Sequence, residues 1–182
     1  MPGQASLSEL VIYRVIQRGN TLSQYSIEIN VSTQKLVLKK NSEIVETFLV
    51  STAKNGAGEI KGSECTPRGW HVIRAKIGVN QAINTVFVGR RATGEIYSPE
   101  LARQFPERDW ILTRILWLSG LEPGKNRLGN VDTMRRYIYI HGCPDIDTVG
   151  MPGSHGCIKM HNTDLIRLFD LVDYGTRVFI RE

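Results

Sequence analysis

Short runs of β-branched and aromatic residues recur along this chain, and they constrain its fold more than any other feature. Runs of this kind, bounded by Gly, Asn or Pro, are typical of β-strands. The chain has 17 glycines among its 182 residues, which supply many turn positions and favour a β-rich architecture. Seven segments are predicted as strands: YSIEINV (25–31), QKLVLKK (34–40), IVETFLVS (44–51), WHVIRAK (70–76), TVFVG (85–89), RRYIYIHG (135–142) and RVFIR (177–181).

Helices are expected in two places. A capping box, Ser6-Leu7-Ser8-Glu9, precedes the run LVIYRVI, so the N-terminal segment 1–24 is predicted as a short helix. The β-branched residues of that run leave a strand open as the alternative. A second helix is predicted over 163–173, because four apolar residues recur there at helical spacing: Leu165, Leu168, Phe169 and Val172. Asn162 or Thr163 is its expected N-cap, and Gly175 its expected C-cap.

Residues 97–130 differ in character from the strand-like segments around them. They contain three prolines, a helix-like stretch SPELARQF and the apolar segment WILTRILWLSG. We predict that this region is an insertion into the rest of the domain. A chain of 182 residues is otherwise sized for one domain, and its 41% hydrophobic content suffices for a sizeable core.

Charge and cysteine usage exclude several classes of protein. The net charge of +5 is spread along the chain without a basic stripe, so we expect no nucleic-acid partner. No stretch approaches the roughly 18 apolar residues of a membrane span, so no membrane partner is expected. Three cysteines, an odd number, argue against a disulfide scaffold.

The N-terminal segment lacks a basic n-region and Arg14 interrupts its apolar run, which predicts a cytoplasmic protein. Removal of a leader from a longer chain would instead make it periplasmic.

The strongest chemical signal is Ser154-His155-Gly156-Cys157, with His141 sixteen residues upstream at the end of the strand-like run RRYIYIHG. A nucleophilic cysteine acts as a thiolate, and a neighbouring imidazole can accept its proton. A glycine beside the thiol permits unusual backbone angles and close approach of a substrate. Backbone N–H groups around Gly156 and Cys157 are then candidates for stabilising an oxyanion. This pattern predicts nucleophilic catalysis by Cys157.

Zinc binding is the competing interpretation of the same residues. His141, Cys143, His155 and Cys157 form an H-x-C…H-x-C set of suitable ligand types. One residue separates the two ligands of each pair, unlike the two to four residues that are usual in zinc knuckles. This alternative predicts a non-catalytic binding module stabilised by zinc.

The segments IHG (140–142) and SHGCIKM (154–160) resemble the motif of the L,D-transpeptidase catalytic domain family, also called the YkuD domain. In that family, a His and an intervening loop precede Ser/Thr-His-Gly-Cys. TPRGW (66–70) is similar to the family's Thr-Pro-x-Gly-aromatic segment, and STQKLVLKKNSEIVETFLVSTAK (32–54) resembles its opening hairpin. The resemblance covers residues 25–181. It implies a mainly β fold, a β-sandwich of mixed sheets with one packed α-helix, in which the insertion at 97–130 caps the substrate cleft.

The resemblance also implies roles for individual residues. Cys157 is the implied nucleophile, His141 its general base, and His155 a third catalytic residue that assists with the oxyanion or with orientation. Four further residues are implied to shape the pocket or hold substrate: Gly142, Ser154, Gly156 and Lys159. The sequence departs from the family in two ways. The loop between His141 and Ser154 is shorter than usual, and Lys159 stands where Arg is common, so it lacks the bidentate fork of a guanidinium.

The reaction implied by the resemblance is cleavage of a peptidoglycan stem peptide, between an L-centre of diaminopimelate and a terminal D-Ala. Cys157 forms a thioester and releases D-Ala, without a metal or organic cofactor. Water as acceptor gives an L,D-carboxypeptidase, which we expect because no leader is evident and a cytoplasmic enzyme meets soluble tetrapeptides and muropeptides. An exported L,D-transpeptidase that forms cross-links is the alternative. Carbapenem-type compounds are the implied inhibitors.

Overall fold

The computed structural model describes residues 24–182 and contains ten strands and two α-helices. The predicted N-terminal helix within 1–24 lies, except for its last residue, outside the described residues. The strands are β1 (Tyr25–Asn30), β2 (Lys35–Lys40), β3 (Glu43–Leu49), β4 (Gly69–Ile77), β5 (Thr85–Val88), β6 (Arg91–Ile96), β7 (Ile111–Gly120), β8 (Tyr139–Gly142), β9 (Ile158–Met160) and β10 (Arg177–Arg181). The helices are α1 (Pro99–Gln104) and α2 (Asn162–Leu171), and a 3₁₀ turn spans Gly129–Val131.

The ten strands join in one hydrogen-bonded network that branches at β7. The main path runs β3-β2-β1-β10-β4-β7-β5-β6, and β8 pairs with β7 on one side and β9 on the other. Two pairs, β1 with β10 and β8 with β9, are parallel, while the remaining pairs are antiparallel. The prediction of a mainly β fold with mixed strand pairing and one main helix is therefore confirmed.

The main core lies where α2 packs over the sheet. Helix α2 buries Leu165, Leu168 and Phe169 on the face that the sequence spacing predicts. These side chains join apolar residues from β1, β2, β4, β7, β8, β9 and β10 in one cluster. The helix ends at Leu171, so Gly175 lies beyond its C-terminus, in the turn before β10, with a positive φ of 88°. Burial of this face fixes α2 directly after β9 and so anchors the end of the loop that carries Cys157.

Residues 97–130 do not form a lobe apart from the sheet. Their apolar part becomes β7, which pairs with β4, β5 and β8 and is buried along almost its whole length. A continuous apolar run is typical of a strand covered on both faces, and periodicity cannot distinguish it from a buried helix. The expectation that residues 97–130 form a single insertion was therefore wrong for the segment that becomes β7. The remaining stretch, from α1 to Trp110, packs on β5 and β7 through Trp110.

Within the part of the chain from residue 24 onward, neither helix is long and apolar enough to cross a membrane.

Candidate active site

Strands β8 and β9 lie side by side, with His141 on β8 and Cys157 directly before β9. They pair in parallel, with Ile140 opposite Ile158 and His141 opposite Lys159. Cys157 immediately precedes β9, and the long loop from Cys143 connects the two strands. Because parallel neighbours place equivalent positions next to one another, this register sets Cys157 beside Tyr139, two residues before His141 on the neighbouring strand.

The thiol of Cys157 contacts the backbone of the chain just before and within β8. The N–H of Tyr139 donates to Sγ at 3.4 Å, and the thiol itself donates to the carbonyl of Tyr137 at 3.5 Å. The residue is half-buried and packs against the apolar group of Phe87, Ile115 and Tyr139. Burial raises the pKa of Cys157 to about 12, since the thiolate is poorly solvated there. The side chain of Cys157 is therefore a neutral thiol.

His141 is buried and its tautomer is set by its own neighbour. The imidazole Nδ1 lies 2.9 Å from the carbonyl oxygen of Gly142, an acceptor, so Nδ1 carries the proton and Nε2 keeps its lone pair. Burial lowers the pKa of His141 below its usual value of 6.5, which keeps the ring neutral at physiological pH. A neutral imidazole with a free Nε2 is the form required of a general base.

Gly156 gives the loop before Cys157 its shape. Its φ is +124°, a region that L side chains rarely adopt, and a Cβ there would lie 3.1 Å from Ile138 Cδ1. Ser154 braces the same turn, because its hydroxyl donates to the Cys157 carbonyl and accepts the Gly156 N–H at 3.2 Å. Thr66 fixes the other side, donating to the Gly156 carbonyl at 3.0 Å and accepting the Ala53 N–H at 3.0 Å. The predicted TPRG segment thus supports the nucleophile loop through one hydroxyl.

A buried amide network holds the turn that follows His141. Asn162, the first residue of α2, donates to the Cys143 carbonyl at 2.8 Å and to Asn84 Oδ1 at 3.0 Å. Its Oδ1 accepts the hydroxyl of Thr113 at 2.6 Å. Gly142 packs directly on this amide, and a Cβ there would lie 2.8 Å from the Leu112 carbonyl. Asn162 therefore joins α2, β7 and β8 where the general base is held.

His155 and Lys159, which lie on either side of Cys157 in the sequence, line a cleft of about 340 Å³. Lys159 Nζ lies 3.2 Å from Asp147 Oδ2 and 3.8 Å from Asp109 Oδ1, so its charge is compensated within the protein. His155 is exposed, and its Nδ1 lies 3.9 Å from Asp109 Oδ2. The remaining lining comes from the segment after α1 and from the loop after β8: Pro106, Glu107, Arg108, Trp110 and Pro144.

The sequence-predicted residues thus fall into three groups. Cys157 lies beside the strand that carries His141, whereas Gly142, Ser154 and Gly156 hold the backbone around them. His155 and Lys159 lie in the adjacent cleft and interact with aspartates rather than with the thiol. The catalytic and binding roles assigned to these residues remain predictions. Three contributors had no motif to reveal them from the sequence: Asn162, Asp109 and Asp147.

The zinc alternative finds little support in the arrangement of its proposed ligands. Cys143 is buried, donates its thiol to the Met160 carbonyl at 3.3 Å, and has its pKa raised to about 12 by burial. His155 is exposed and turns towards Asp109. In residues 24–182, no three side chains of His, Cys, Asp or Glu gather closely enough to hold one metal ion.

Comparison with known proteins agrees with the geometry. A model of the L,D-transpeptidase catalytic domain matches residues 24–180. Among curated proteins, the chain is 44% identical over 43 residues to the putative L,D-transpeptidase YqjB of Bacillus subtilis, covering 24% of each chain. It is 44% identical over 46 residues to the putative L,D-transpeptidase YkuD of the same organism, covering 25% of this chain and 28% of that protein. The matched stretch thus spans only about a quarter of these relatives.

Solved structures share the fold at low sequence identity. An L,D-transpeptidase from Mycobacterium smegmatis gives a TM-score of 0.52 at 16% identity, over 87% of this chain and 59% of that chain. L,D-transpeptidase 3 from Mycobacterium tuberculosis, in complex with a faropenem-derived adduct, gives 0.55 at 14% identity, over 87% and 60%. An Enterococcus faecium L,D-transpeptidase C442S mutant gives 0.53 at 15% identity, over 88% and 50%. The chain therefore spans between half and three fifths of these three structures.

Proposed function

Since the chain belongs to the L,D-transpeptidase catalytic domain family, we propose that it is a cysteine-dependent acyltransferase that releases D-Ala from peptidoglycan tetrapeptides, with water as its preferred acceptor. The observation that carries the proposal is the parallel pairing of β8 with β9, which brings the thiol of Cys157 beside a strand whose His141 keeps Nε2 unprotonated. The expected substrate is a stem peptide with diaminopimelate at its third position.

The acylation step follows from the protonation states of the two residues. The thiol and the imidazole are both neutral at rest, because burial raises the pKa of Cys157 and lowers that of His141. As Sγ attacks the scissile carbonyl, its proton passes to His141 Nε2. His141 then gives that proton to the departing amine of D-Ala, and the C–N bond breaks. The product is a thioester between Cys157 and the tripeptide.

Backbone geometry suggests which donor stabilises the oxyanion. The Gly156 N–H already donates to Ser154 Oγ at 3.2 Å. We therefore assign the role to the N–H of Cys157, the next one along the turn, because a backbone donor fixed before the reaction costs no reorganisation. Thr66 and Ser154 act as positioning residues for it, since both hold the carbonyls of this turn.

Deacylation completes the cycle when His141 Nε2 accepts a proton from water, whose oxygen attacks the thioester. The C–S bond breaks, the free tripeptide leaves, and Cys157 recovers its thiol. A cleft of about 340 Å³, lined by His155 and Lys159, lies beside the loop that carries Cys157. A cross-linking enzyme must hold a second stem peptide with its amine close to the thioester. The segment that ends in Pro106–Trp110 lines this cleft, and we propose that it caps the site.

Product analysis tests the choice of acceptor directly. The purified protein is incubated with a disaccharide tetrapeptide and an excess of a different D-amino acid, and the products are identified by mass spectrometry. We expect tripeptide and free D-Ala to predominate, and Cys157→Ala to give neither. A predominance of cross-linked dimer or of D-amino-acid exchange product would contradict hydrolysis and identify an L,D-transpeptidase, the activity that the names of the curated relatives carry. Hydrolysis of soluble muropeptides would suit a cytoplasmic role in murein recycling.

A further inference from the structure

Arg90 projects from the turn between β5 and β6 onto an aromatic surface. Gly89 and Arg90 both have positive φ, 53° and 67°, which is typical of a two-residue hairpin turn. The guanidinium lies 4.6 Å from the ring centroid of Trp117 and 5.0 Å from that of Tyr137. Its Nη1 donates to the hydroxyl of Tyr139 at 3.0 Å. Three aromatic side chains therefore hold this half-buried cation in a defined orientation.

This surface adjoins the nucleophile. Trp117 on β7 is paired directly with Tyr139 on β8, and both belong to the apolar group against which Cys157 packs. The backbone N–H of Tyr139 contacts Cys157 Sγ, while the hydroxyl of the same residue contacts Arg90. Arg90 is thus separated from the thiol by the length of one tyrosine side chain.

Lys159 and Arg90 differ in how their charge is balanced. The guanidinium of a third cation near Cys157, Arg136, is already engaged by three backbone carbonyls. Lys159, which the sequence suggested as a holder of a substrate carboxylate, interacts with Asp147 and Asp109. Arg90 forms no ion pair with any carboxylate in residues 24–182. One of its five N–H donors is used by Tyr139, and the planar fork that remains matches a carboxylate in geometry. An uncompensated, oriented guanidinium beside a nucleophile is suited to an anionic substrate.

We propose that Arg90, and not Lys159, binds a carboxylate of the acyl-donor peptide and so sets which peptide bond reaches Cys157. The proposal rests on the proposed function for its substrate class. A diaminopimelate tetrapeptide offers two carboxylates near the scissile bond, one at the terminus of the leaving D-residue and one on the side chain of the third residue. The exposed ring of Tyr137 gives the peptide an apolar surface beside the ion pair.

Binding to an inactive enzyme tests this role separately from turnover. In a Cys157→Ala background, titration calorimetry measures the Kd of three tetrapeptides: the free acid, the C-terminal amide and the side-chain amide. Arg90→Gln is expected to weaken binding of the free acid by about tenfold or more, as for loss of a hydrogen-bonded ion pair. Arg90→Gln should not change the affinity for the amide in which the carboxylate bound by Arg90 has been replaced. The amide whose affinity is unchanged therefore identifies that carboxylate.

Two controls separate recognition from folding. Arg177→Gln removes another arginine that stacks on a tryptophan, at 5.8 Å from Trp70, and should not change any of the three affinities. Arg90→Lys keeps the charge but lacks the planar fork of the guanidinium. Its affinity for the free acid should therefore lie between those of the parent and Arg90→Gln. The proposal is overturned if Arg90→Gln weakens all three peptides equally, leaves all three unchanged, or if none of them binds. Failure of the active protein to release D-Ala would count against the proposed function alone.

Discussion

The backbone N–H of Tyr139 points at the sulfur of Cys157 across 3.4 Å, so the strand that carries His141 also contacts the thiol of Cys157. Two residues further along β8, His141 turns Nδ1 to the Gly142 carbonyl and keeps Nε2 unprotonated. The position of the thiol and the tautomer of the imidazole therefore depend on one short strand.

Replacing His141 should affect the rate far more than replacing His155. We expect His141→Ala to lower kcat/KM for tetrapeptide by roughly a hundredfold or more, the range typical of a lost general base. His155→Ala should cost less than about tenfold, because its exposed ring interacts with Asp109 at the rim of the cleft. Initial rates of D-Ala release measure both variants. The opposite ranking would show that His155 is the base.

The pH profile should reflect the burial of His141. Its base function requires the neutral ring, and burial lowers its pKa from 6.5, so activity is retained below pH 6.5 and lost as pH falls through the lowered value. The acid limb of kcat/KM for the free enzyme should accordingly have its midpoint below 6.5. His71 is buried and its pKa is lowered to about 4, so it stays unprotonated in the folded protein at pH values where it binds a proton in the unfolded chain. The free energy of unfolding should therefore also fall as the pH falls from 6.5 towards 4. Thermal unfolding at each pH separates the two effects, and a kinetic midpoint above 6.5 in folded protein would exclude a buried imidazole as the base.

Carbapenems should acylate Cys157 and no other thiol. Attack by Sγ on the lactam carbonyl breaks the C–N bond of the ring, and the ring nitrogen takes the proton, so the adduct keeps the full mass of the drug. Intact-mass spectrometry should show one equivalent bound, and none on Cys157→Ala. Cys65 and Cys143 remain in that variant as internal controls, and an adduct on either would contradict a selective nucleophile.

Thr66→Val should weaken the site without altering its chemical groups. Valine has nearly the shape of threonine but leaves the Ala53 N–H and the Gly156 carbonyl without their side-chain partner in a fully buried position. We expect a loss of about 1–3 kcal/mol in unfolding free energy and a lower kcat, because the Cys157 turn loses its support. Denaturant unfolding and the rate of D-Ala release measure the two effects. The matched substitution of the exposed Thr163 to Val should preserve kcat, and an unchanged kcat in Thr66→Val would remove Thr66 from the positioning of the nucleophile.

The sequence by itself determined most of the strands and the amphipathic helix, and it pointed to Cys157 as the predicted nucleophile. The strands at 25–31 and 34–40 and the helix face of Leu165, Leu168 and Phe169 follow from local periodicity, which reports the environment of each side chain directly. The SHGC motif is also evident from the sequence because its four residues are contiguous. The positive φ of Gly156 is a local requirement of the turn before Cys157.

Only the tertiary structure decided the contacts between distant segments. The apolar run of β7 has no periodicity because both of its faces are covered, so its central place in the sheet was not evident from residues 97–130 alone. Charge balance depends on which side chains meet after folding. Lys159 meets Asp147 and Asp109, whereas Arg90 is brought by a hairpin to the aromatic residues beside Cys157. No local pattern encodes such pairings, because strand order and loop paths set them across the whole domain.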